Sequence, residues 1–136
     1  MPPRHPVKVR FYELDPYGHL NHSVYVQLFE TGRIEFLEEA GLSLQVLEEQ
    51  GYRFLVSRIE TAFLRPVRAG AELVVETEVA EIRRASSIWE QRLLLGNEPV
   101  ATQTVRIGVA DGRERPVRFP EEMATALGPY RPEGVS

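Results

Sequence analysis

Cysteine and long apolar runs are both missing from this sequence of 136 residues. Without cysteine the chain can form no disulfide, no thiol nucleophile and no thiolate metal site. No stretch approaches the roughly 20 apolar residues that are needed to span a bilayer. The first ten residues, MPPRHPVKVR, also lack the apolar core of a signal peptide. These absences favour a cytoplasmic protein with no membrane span.

An excess of positive charge is missing as well. The formal net charge is −4 at pH 7, so bulk electrostatics do not favour nucleic acid or an anionic membrane as a partner. The content of 43% hydrophobic and 26% charged residues is typical of a soluble globular protein. The length fits a single domain with one core. We expect one domain over residues 1–136, with a poorly ordered tail from about residue 129.

The pattern of apolar residues predicts an α+β fold. Residues 7–12 alternate with period two, as in a strand, and residues 23–40 show the 3.6-residue period of an amphipathic helix. A shorter helix is predicted over residues 43–50 and a last helical turn or two over 120–127. Four further strands are predicted at residues 54–65, 72–83, 87–95 and 100–109. Short connections favour antiparallel neighbours, so one long helix must cover a five-stranded antiparallel sheet.

Such a sheet predicts a homo-oligomer. An apolar strand at the sheet edge leaves unpaired backbone groups that invite pairing with another chain. One helix also cannot bury every apolar side chain of five strands. A homodimer that continues the sheet solves both problems and creates a pocket where the subunits meet. The sequence does not separate a dimer from a tetramer.

Residues 12–25, YELDPYGHLNHSVY, contain two of the three histidines of the chain beside Asp15. The stretch has two interpretations. Asp15 is either a turn residue before Pro16, or the acidic group of a site at the start of the long helix. His19 fits an exposed loop, and His22 fits either a polar helix start or a group that orients a substrate. A metal site built from Asp15 and both histidines lacks any further ligand cluster, so no metal is expected.

A resemblance to a known family is carried by Tyr12 to His22, Tyr25, Phe29 to Arg33, Arg65 to Gly70, Leu73 to Thr77 and Arg113 to Val117. On these residues the chain resembles the hot-dog acyl-CoA thioesterases, and more narrowly the 4-hydroxybenzoyl-CoA thioesterase type and its Tol-Pal-associated relatives. The resemblance implies a hot-dog fold, in which the antiparallel sheet wraps around the central helix. It also implies that Asp15 is the catalytic aspartate, that His22 and Tyr12 lie near the active site, and that backbone N–H groups near His22 form the oxyanion site.

The implied reaction hydrolyses an acyl-CoA to a free acid and coenzyme A. Asp15 acts in it either as a nucleophile, through a mixed anhydride, or as a general base that deprotonates water. The unpaired N–H groups at the helix start stabilise the developing oxyanion. Glu30 is a rival acid on the helix, but Arg33 three residues later is a ready ion-pair partner for it.

Coenzyme A requires cations for its phosphates. Arg83, Arg84 and Ser86 stand together in a turn between strands, and Arg65 and Arg115 are further candidates. No cofactor is expected, since coenzyme A is part of the substrate. Two other functions stay open from the sequence. They are a dehydratase or hydratase acting on acyl thioesters, and a non-catalytic module that binds acyl-CoA.

Overall fold

The structure, a computed structural model, describes residues 2–132. Its main element is an antiparallel sheet with one long helix, α1, packed across one face. The strands lie in the order β1-β3-β4-β5-β2, and a short β6 pairs with β5. Their bounds are β1 Arg4–Lys8, β2 Arg53–Phe63, β3 Glu72–Ile82, β4 Ser86–Leu95, β5 Glu98–Ala110 and β6 Pro116–Val117. The helices are α1 His22–Glu39, α2 Leu44–Glu49 and α3 Glu121–Leu127, with 3₁₀ turns at Phe11–Glu13 and Gly128–Tyr130.

Helix α1 begins and ends where its sequence signals predict. The side chain of Asn21 caps its start, and Gly41 follows its end with φ of +78°, a conformation that glycine adopts at little cost. Gly32 lies on the buried stripe of the helix. A Cβ atom there would come within 2.4 Å of Val75 Cγ1 on β3. The absence of a side chain at Gly32 therefore permits close packing of the helix on the sheet.

The core forms two clusters along α1. The first half of the helix packs Tyr25 and Phe29 against Val75 and Leu93 of the sheet. The second half packs Phe36 against Trp89, with ring centroids 5.2 Å apart and an edge-to-face angle of 71°. Since α1 rests on the inner face of the sheet along its whole length, both of its ends are held firmly. The start of the helix is thus a fixed position from which a site can be built.

The prediction of a strand over residues 7–12 is wrong beyond Lys8. Strand β1 ends at Lys8, and residues 11–13 form a 3₁₀ turn instead of extended chain. The reason is local: Glu13 N donates to Arg10 O, and the Glu13 side chain accepts from Arg10 N at 2.7 Å. The two bonds close a turn that the alternating pattern of residues 7–12 does not reveal.

Two further observations concern the later part of the chain. Strand β6, with only two residues, was not predicted and makes a sixth strand beside the five expected. Tyr130, within the tail that we expected to be poorly ordered, packs its ring 4.8 Å from that of Phe36. Residues 133–136 of that tail lie outside the described residues. The poorly ordered tail stays a prediction, and the structure adds that Tyr130 contacts Phe36 of helix α1.

Strand β2 is the edge strand beside β5, and its inner face is poorly covered. Phe63 is 51% exposed and Val56 is 49% exposed. Ile59, between them, is also exposed. Within residues 2–132 the other edge of this strand pairs with nothing. An apolar edge of this length is the feature that the sequence linked to oligomerisation.

Candidate active site

Asp15 is held in a tight loop by its own backbone neighbours. Its Oδ1 accepts hydrogen bonds from Tyr17 N at 2.9 Å and from His19 N at 3.1 Å. Its backbone N–H donates to His19 O at 2.7 Å, and Gly18 N donates back to Asp15 O. Among residues 2–132, no group bonds the second carboxylate oxygen, Oδ2. The loop therefore fixes the direction of the carboxylate and leaves one oxygen for another partner.

The Asp15 loop leads directly into helix α1, which begins at His22. Asn21 Oδ1 accepts from Ser23 N at 3.1 Å and from Ser23 Oγ at 2.9 Å, so one of the first N–H groups of the helix is already satisfied. Val24 N donates to Asn21 O. The structure gives His22 N–H no hydrogen-bond partner within the described residues. It is the donor left open at the positive end of the helix dipole.

A cavity of about 340 Å³ lies between this loop, the helix start and the end of β2. Its polar wall contains Asp15, His19, His22, Tyr25 and Arg65. Phe63, Leu64 and Pro66 supply its apolar wall. The cavity is partly open to solvent, and its combination of a carboxylate, an unpaired N–H and an apolar wall suits a polar reacting group on an apolar chain.

Tyr25 is a buried residue that lines the same cavity as Asp15. Its hydroxyl donates to Arg65 O at 3.3 Å, and its ring meets that of Phe63 edge to face at 5.0 Å. Burial raises the pKa of Tyr25, and the nearby Asp15 charge raises it further. The hydroxyl therefore stays protonated at neutral pH and serves as a donor at the floor of the cavity.

The structure brings together only part of the predicted set. Asp15, His22 and Arg65 share the cavity, and His19 joins them. Arg65 also forms an ion pair with Glu98 at 2.6 Å, with both side chains exposed. Tyr12 lies outside the cavity wall: it is 66% exposed and packs edge to face on Phe11 at 5.5 Å. The 3₁₀ turn that replaces the predicted strand explains this position.

Arg83, Arg84 and Ser86 lie at the opposite end of the sheet. Ser86 pairs with Gly108 on β5, whereas Phe63 of the cavity pairs with Ala101. Those positions on β5 are seven residues apart, or roughly 23 Å at ~3.3 Å per residue. Arg83 and Arg84 line a separate groove of about 680 Å³, together with Arg118. Within one chain, they do not face the Asp15 cavity.

The expected ion pair between Glu30 and Arg33 is wrong. Arg33 is only 5% exposed and turns inward, where its Nη1 donates to Gln91 Oε1 at 2.9 Å and to Gln103 Oε1 at 2.8 Å. Burial lowers the pKa of Arg33, while the charge of Glu30 acts in the opposite direction. The spacing of i and i+3 places the two residues on neighbouring faces, and the amides of the sheet attract the guanidinium more effectively than exposed Glu30.

Two absences concern the described residues alone. Among residues 2–132, no group of three or more histidine, aspartate or glutamate side chains is arranged to hold a metal ion. Over the same range, every helix is too short or too polar to cross a bilayer. The contact between His19 and Asp15 is a hydrogen bond from the backbone N–H of His19 to the carboxylate of Asp15.

Tyr25, Phe63 and Leu64 are among the cavity residues that were not identified as site residues from the sequence. Tyr25 was identified from the sequence only as one of the residues that carry the resemblance, although it falls one turn after Asn21, the residue that caps α1. Phe63 and Leu64 end β2 immediately before Arg65, and their exposure depends on what β2 lacks as a neighbour. The signal for Tyr25 was present in the spacing, whereas that for Phe63 and Leu64 was not.

The fold and the site together define a hot-dog protein: an antiparallel sheet wraps one long helix, and an acidic loop closes over the helix start. A family model described as the thioesterase-like superfamily matches residues 9–127. The chain therefore belongs to the thioesterase-like superfamily and is a thioester hydrolase. The predictions of family, fold class and enzyme class are confirmed.

Individual relatives agree with this assignment. The chain is 33% identical over 124 residues to acyl-CoA thioesterase YbgC of Haemophilus influenzae, covering 90% of this chain and 91% of that protein. It is 29% identical over 127 residues to the chloroplastic acyl-acyl carrier protein thioesterase ATL2 of Arabidopsis thaliana, covering 92% of this chain and 68% of that one. A crystal structure of a probable thioesterase from Bartonella henselae superposes with a TM-score of 0.82 at 27% identity, covering 88% of this chain and all of the other.

Proposed function

We propose that this protein hydrolyses acyl-CoA thioesters to a free acid and coenzyme A, with Asp15 as the central catalytic group. The observation that carries the proposal is the state of the Asp15 carboxylate. One oxygen accepts from two backbone N–H groups, and the other accepts from no group of residues 2–132, while Asp15 and His22 line the same cavity. A catalytic carboxylate requires this combination of a fixed orientation and a free oxygen.

Asp15 Oδ2 acts in one of two ways. As a nucleophile, it attacks the thioester carbonyl carbon, the C–S bond breaks, and coenzyme A leaves as a thiolate; water then opens the mixed anhydride. As a general base, it takes a proton from a water molecule that attacks the same carbon. Both routes pass through a tetrahedral oxyanion and release the same products.

The oxyanion is stabilised by the start of α1. His22, whose N–H has no partner within residues 2–132, lines the same cavity as Asp15 at the positive end of the helix dipole. A well-placed donor of this kind stabilises the transition state by about 2.7–4 kcal/mol in measured cases. The His22 ring orients the substrate at the rim of the cavity, and the Tyr25 hydroxyl holds Arg65 and the loop after β2 in place. Tyr12, exposed outside the cavity, contributes to the site only through a substrate or a second subunit.

A homodimer completes the binding site for coenzyme A. The free edge of β2 supports antiparallel pairing with a second copy, which would set the Arg53 end of one strand beside the Phe63 end of the other. The arginines of residues 83–86 lie at the Arg53 end of the sheet. The second copy would therefore bring Arg83, Arg84 and Ser86 towards the Asp15 cavity that its partner forms. A tetramer would be a pair of such dimers.

The acyl carrier is coenzyme A in this proposal, because the name of the relative with 33% identity specifies acyl-CoA. The name of the plant relative specifies acyl carrier protein, so both carriers belong in the test. The mechanism requires no metal and no cofactor beyond the coenzyme A of the substrate. A cytoplasmic location is part of the proposal and follows from the sequence alone.

The test is release of free thiol from a panel of aliphatic and aryl acyl-CoAs and one acyl carrier protein thioester. Wild type is compared with Asp15→Asn, which keeps the size of the side chain and an oxygen for the loop. We expect the variant to fold, to bind ligand and to lose at least about a hundredfold in kcat/KM, the usual contribution of a positioned base.

Asp111→Asn is the matched control. Asp111 accepts from Arg113 N and Arg115 N in the same pattern as Asp15, but it lies in the turn between β5 and β6. Its variant should hydrolyse the same substrates at the rate of wild type. Unchanged turnover in Asp15→Asn would remove Asp15 from the mechanism. Tight binding without turnover by wild type across the whole panel would contradict the proposed activity.

A further inference from the structure

The outer face of the sheet is the surface of strands β2 to β5 that is turned away from α1. Side chains alternate between the two faces along each strand, and residues paired between neighbouring strands share a face. Core residues such as Val105 occupy alternate positions, so the residues between them project outward. On this face Glu78 of β3 is paired with Glu90 of β4, and Arg58 of β2 is paired with Arg106 of β5. The outer face therefore carries one acidic pair and one basic pair.

Both pairs are unfavourable in a single chain. Directly opposite residues on antiparallel strands have Cβ atoms about 4.5–5.5 Å apart, so like charges there repel each other. Burial raises the pKa of Glu78, and the charge of Glu90 raises it further. Within residues 2–132, Glu78, Glu90 and Arg106 form no ion pair, and Arg58 has only Glu60, at 3.9 Å with both side chains exposed. The chain alone leaves the repulsion within each pair largely uncompensated.

We propose that the outer face binds the outer face of a second copy of this chain, with the acidic pair of each copy against the basic pair of the other. A two-fold interface requires a self-complementary surface, on which one patch of each copy meets a different patch of its partner. The acidic and basic pairs are two such patches. Complementary charges of this kind fix the orientation in which two surfaces meet.

The positions of the two pairs fit a two-fold axis that runs parallel to the sheet. The acidic pair lies between β3 and β4, and the basic pair lies between β5 and β2, two strand spacings or roughly 10 Å away. Thr104 is level with Glu90, and Arg106 is two residues further along β5, so the pairs are offset by roughly 7 Å along the strands. The midpoint lies near Thr104 and Ile88, two uncharged residues that line one shallow groove with the basic pair. Rotation about an axis through this midpoint exchanges the acidic pair with the basic pair.

The outer face is large enough for a stable interface. Strands β2 to β5 contain 11, 11, 10 and 13 residues. With ~4.8 Å between strands and ~3.4 Å per residue, they cover roughly 19 Å by 34 Å, or about 650 Å². The projecting side chains add to this flat area, so the face approaches the about 800 Å² that each partner buries in a standard protein interface.

The pairing of outer faces is separate from the free edge of β2 and from the Asp15 cavity. Pairing at the edge uses the backbone of β2, and the cavity contains Tyr25 of α1, on the inner side of the sheet. A second copy on the outer face leaves both accessible, so two dimers joined in this way form a tetramer. The inference does not depend on the proposed hydrolysis.

The experiment measures the molar mass of two double variants and of wild type by sedimentation at one protein concentration. Glu78→Arg with Glu90→Arg makes both pairs basic, and Arg58→Glu with Arg106→Glu makes both pairs acidic. Each variant should bind its own outer face at least about a hundredfold more weakly and show half the molar mass of wild type, because like charges then meet across the interface. Mixing the two variants should restore the molar mass of wild type.

Glu35→Arg with Glu38→Arg is the matched control, since it makes the same change of charge at two exposed positions of α1. It should keep the molar mass of wild type. If both outer-face variants keep that mass, or if their mixture forms no larger species, the proposal is wrong. Dissociation of the control to the same extent would assign the effect to net charge and refute the interface as well. Because molar mass is read without turnover, failure of this proposal is distinct from failure of the proposed catalysis.

Discussion

Asp15 and Asp111 stand in two loops that share the same backbone pattern. In each, the aspartate Oδ1 accepts from the N–H groups two and four residues later. In each, the aspartate N–H donates to the carbonyl four residues later, and the residue three positions later donates back and has positive φ. That last residue is Gly18 in the first loop and Glu114 in the second.

The two loops differ in what surrounds the second carboxylate oxygen. Asp111 Oδ2 lies 3.6 Å from Arg115 Nε, four residues later, at the exposed turn between β5 and β6. Asp15 has His19 at that position instead, its Oδ2 accepts no hydrogen bond from residues 2–132, and Asp15 lines the cavity together with His22. The turn motif alone therefore says nothing about catalysis. The position of the turn against an open helix end makes the difference.

Gly18→Ala should have the largest effect on this comparison. Gly18 has φ of +78°, and a Cβ atom added there would meet nothing within 4 Å, so only the backbone conformation opposes the change. Alanine in that region costs about 1–2 kcal/mol, which denaturant unfolding measures. Since the strain distorts the loop that orients Asp15, kcat/KM should also fall, by up to about a hundredfold. Normal stability and activity would show that the loop tolerates another shape.

Gly112→Pro should have a smaller effect of opposite sign. Gly112 occupies the position of Pro16 in the first loop, and its N–H makes no hydrogen bond within residues 2–132. If the two loops share their backbone, proline fits there and restricts the unfolded chain, which stabilises the protein by about 0.4–1 kcal/mol. Thermal unfolding measures the gain. Destabilisation would mean that the second position differs between the loops, and hydrolysis should be unchanged in either case.

The smallest expected effect is the pH dependence of the stability that Asp111 contributes to the folded protein. Hydrogen bonds from Arg115 N and Arg113 N lower the pKa of Asp111 below its ordinary value. A lowered folded-state pKa stabilises the protein above the unfolded-state pKa, and this contribution disappears as pH falls through the folded-state pKa. Asp111→Asn should therefore be less stable than wild type at neutral pH, and the difference should shrink in acid. A difference that is constant with pH would refute the assignment to charge.

Much of the fold could be predicted because it depends on local repetition. The helical period of residues 23–40 and the alternation in the four later strands arise from side chains a few residues apart, so α1 and the sheet appear where expected. The first strand failed beyond Lys8 because a single side chain, that of Glu13, closes a turn on Arg10. One such hydrogen bond is enough to replace a strand by a turn, and the alternating pattern of apolar residues does not reveal it.

The candidate site also has a part that local sequence predicts and a part that depends on distant contacts. Asp15, Pro16 and Gly18 predict a tight turn, since proline fixes φ and glycine permits positive φ, and His22 follows directly at the helix start. Arg33 was placed wrongly because its spacing from Glu30 fits an exposed pair equally well. Only the approach of Gln91 and Gln103, about 60 and 70 residues later in the chain, draws its guanidinium inward.

By itself, the sequence determined the order of helices and strands, the turn that holds Asp15 and the boundary at which α1 begins, because each depends on neighbours within a few residues. Only the tertiary structure decided which charges meet. Strand pairing set Arg83, Arg84 and Ser86 at the far end of the sheet from Asp15, and it carried two glutamines under α1 to meet Arg33. Such contacts join residues distant in the chain, so their geometry depends on the register of the whole sheet and on no local pattern.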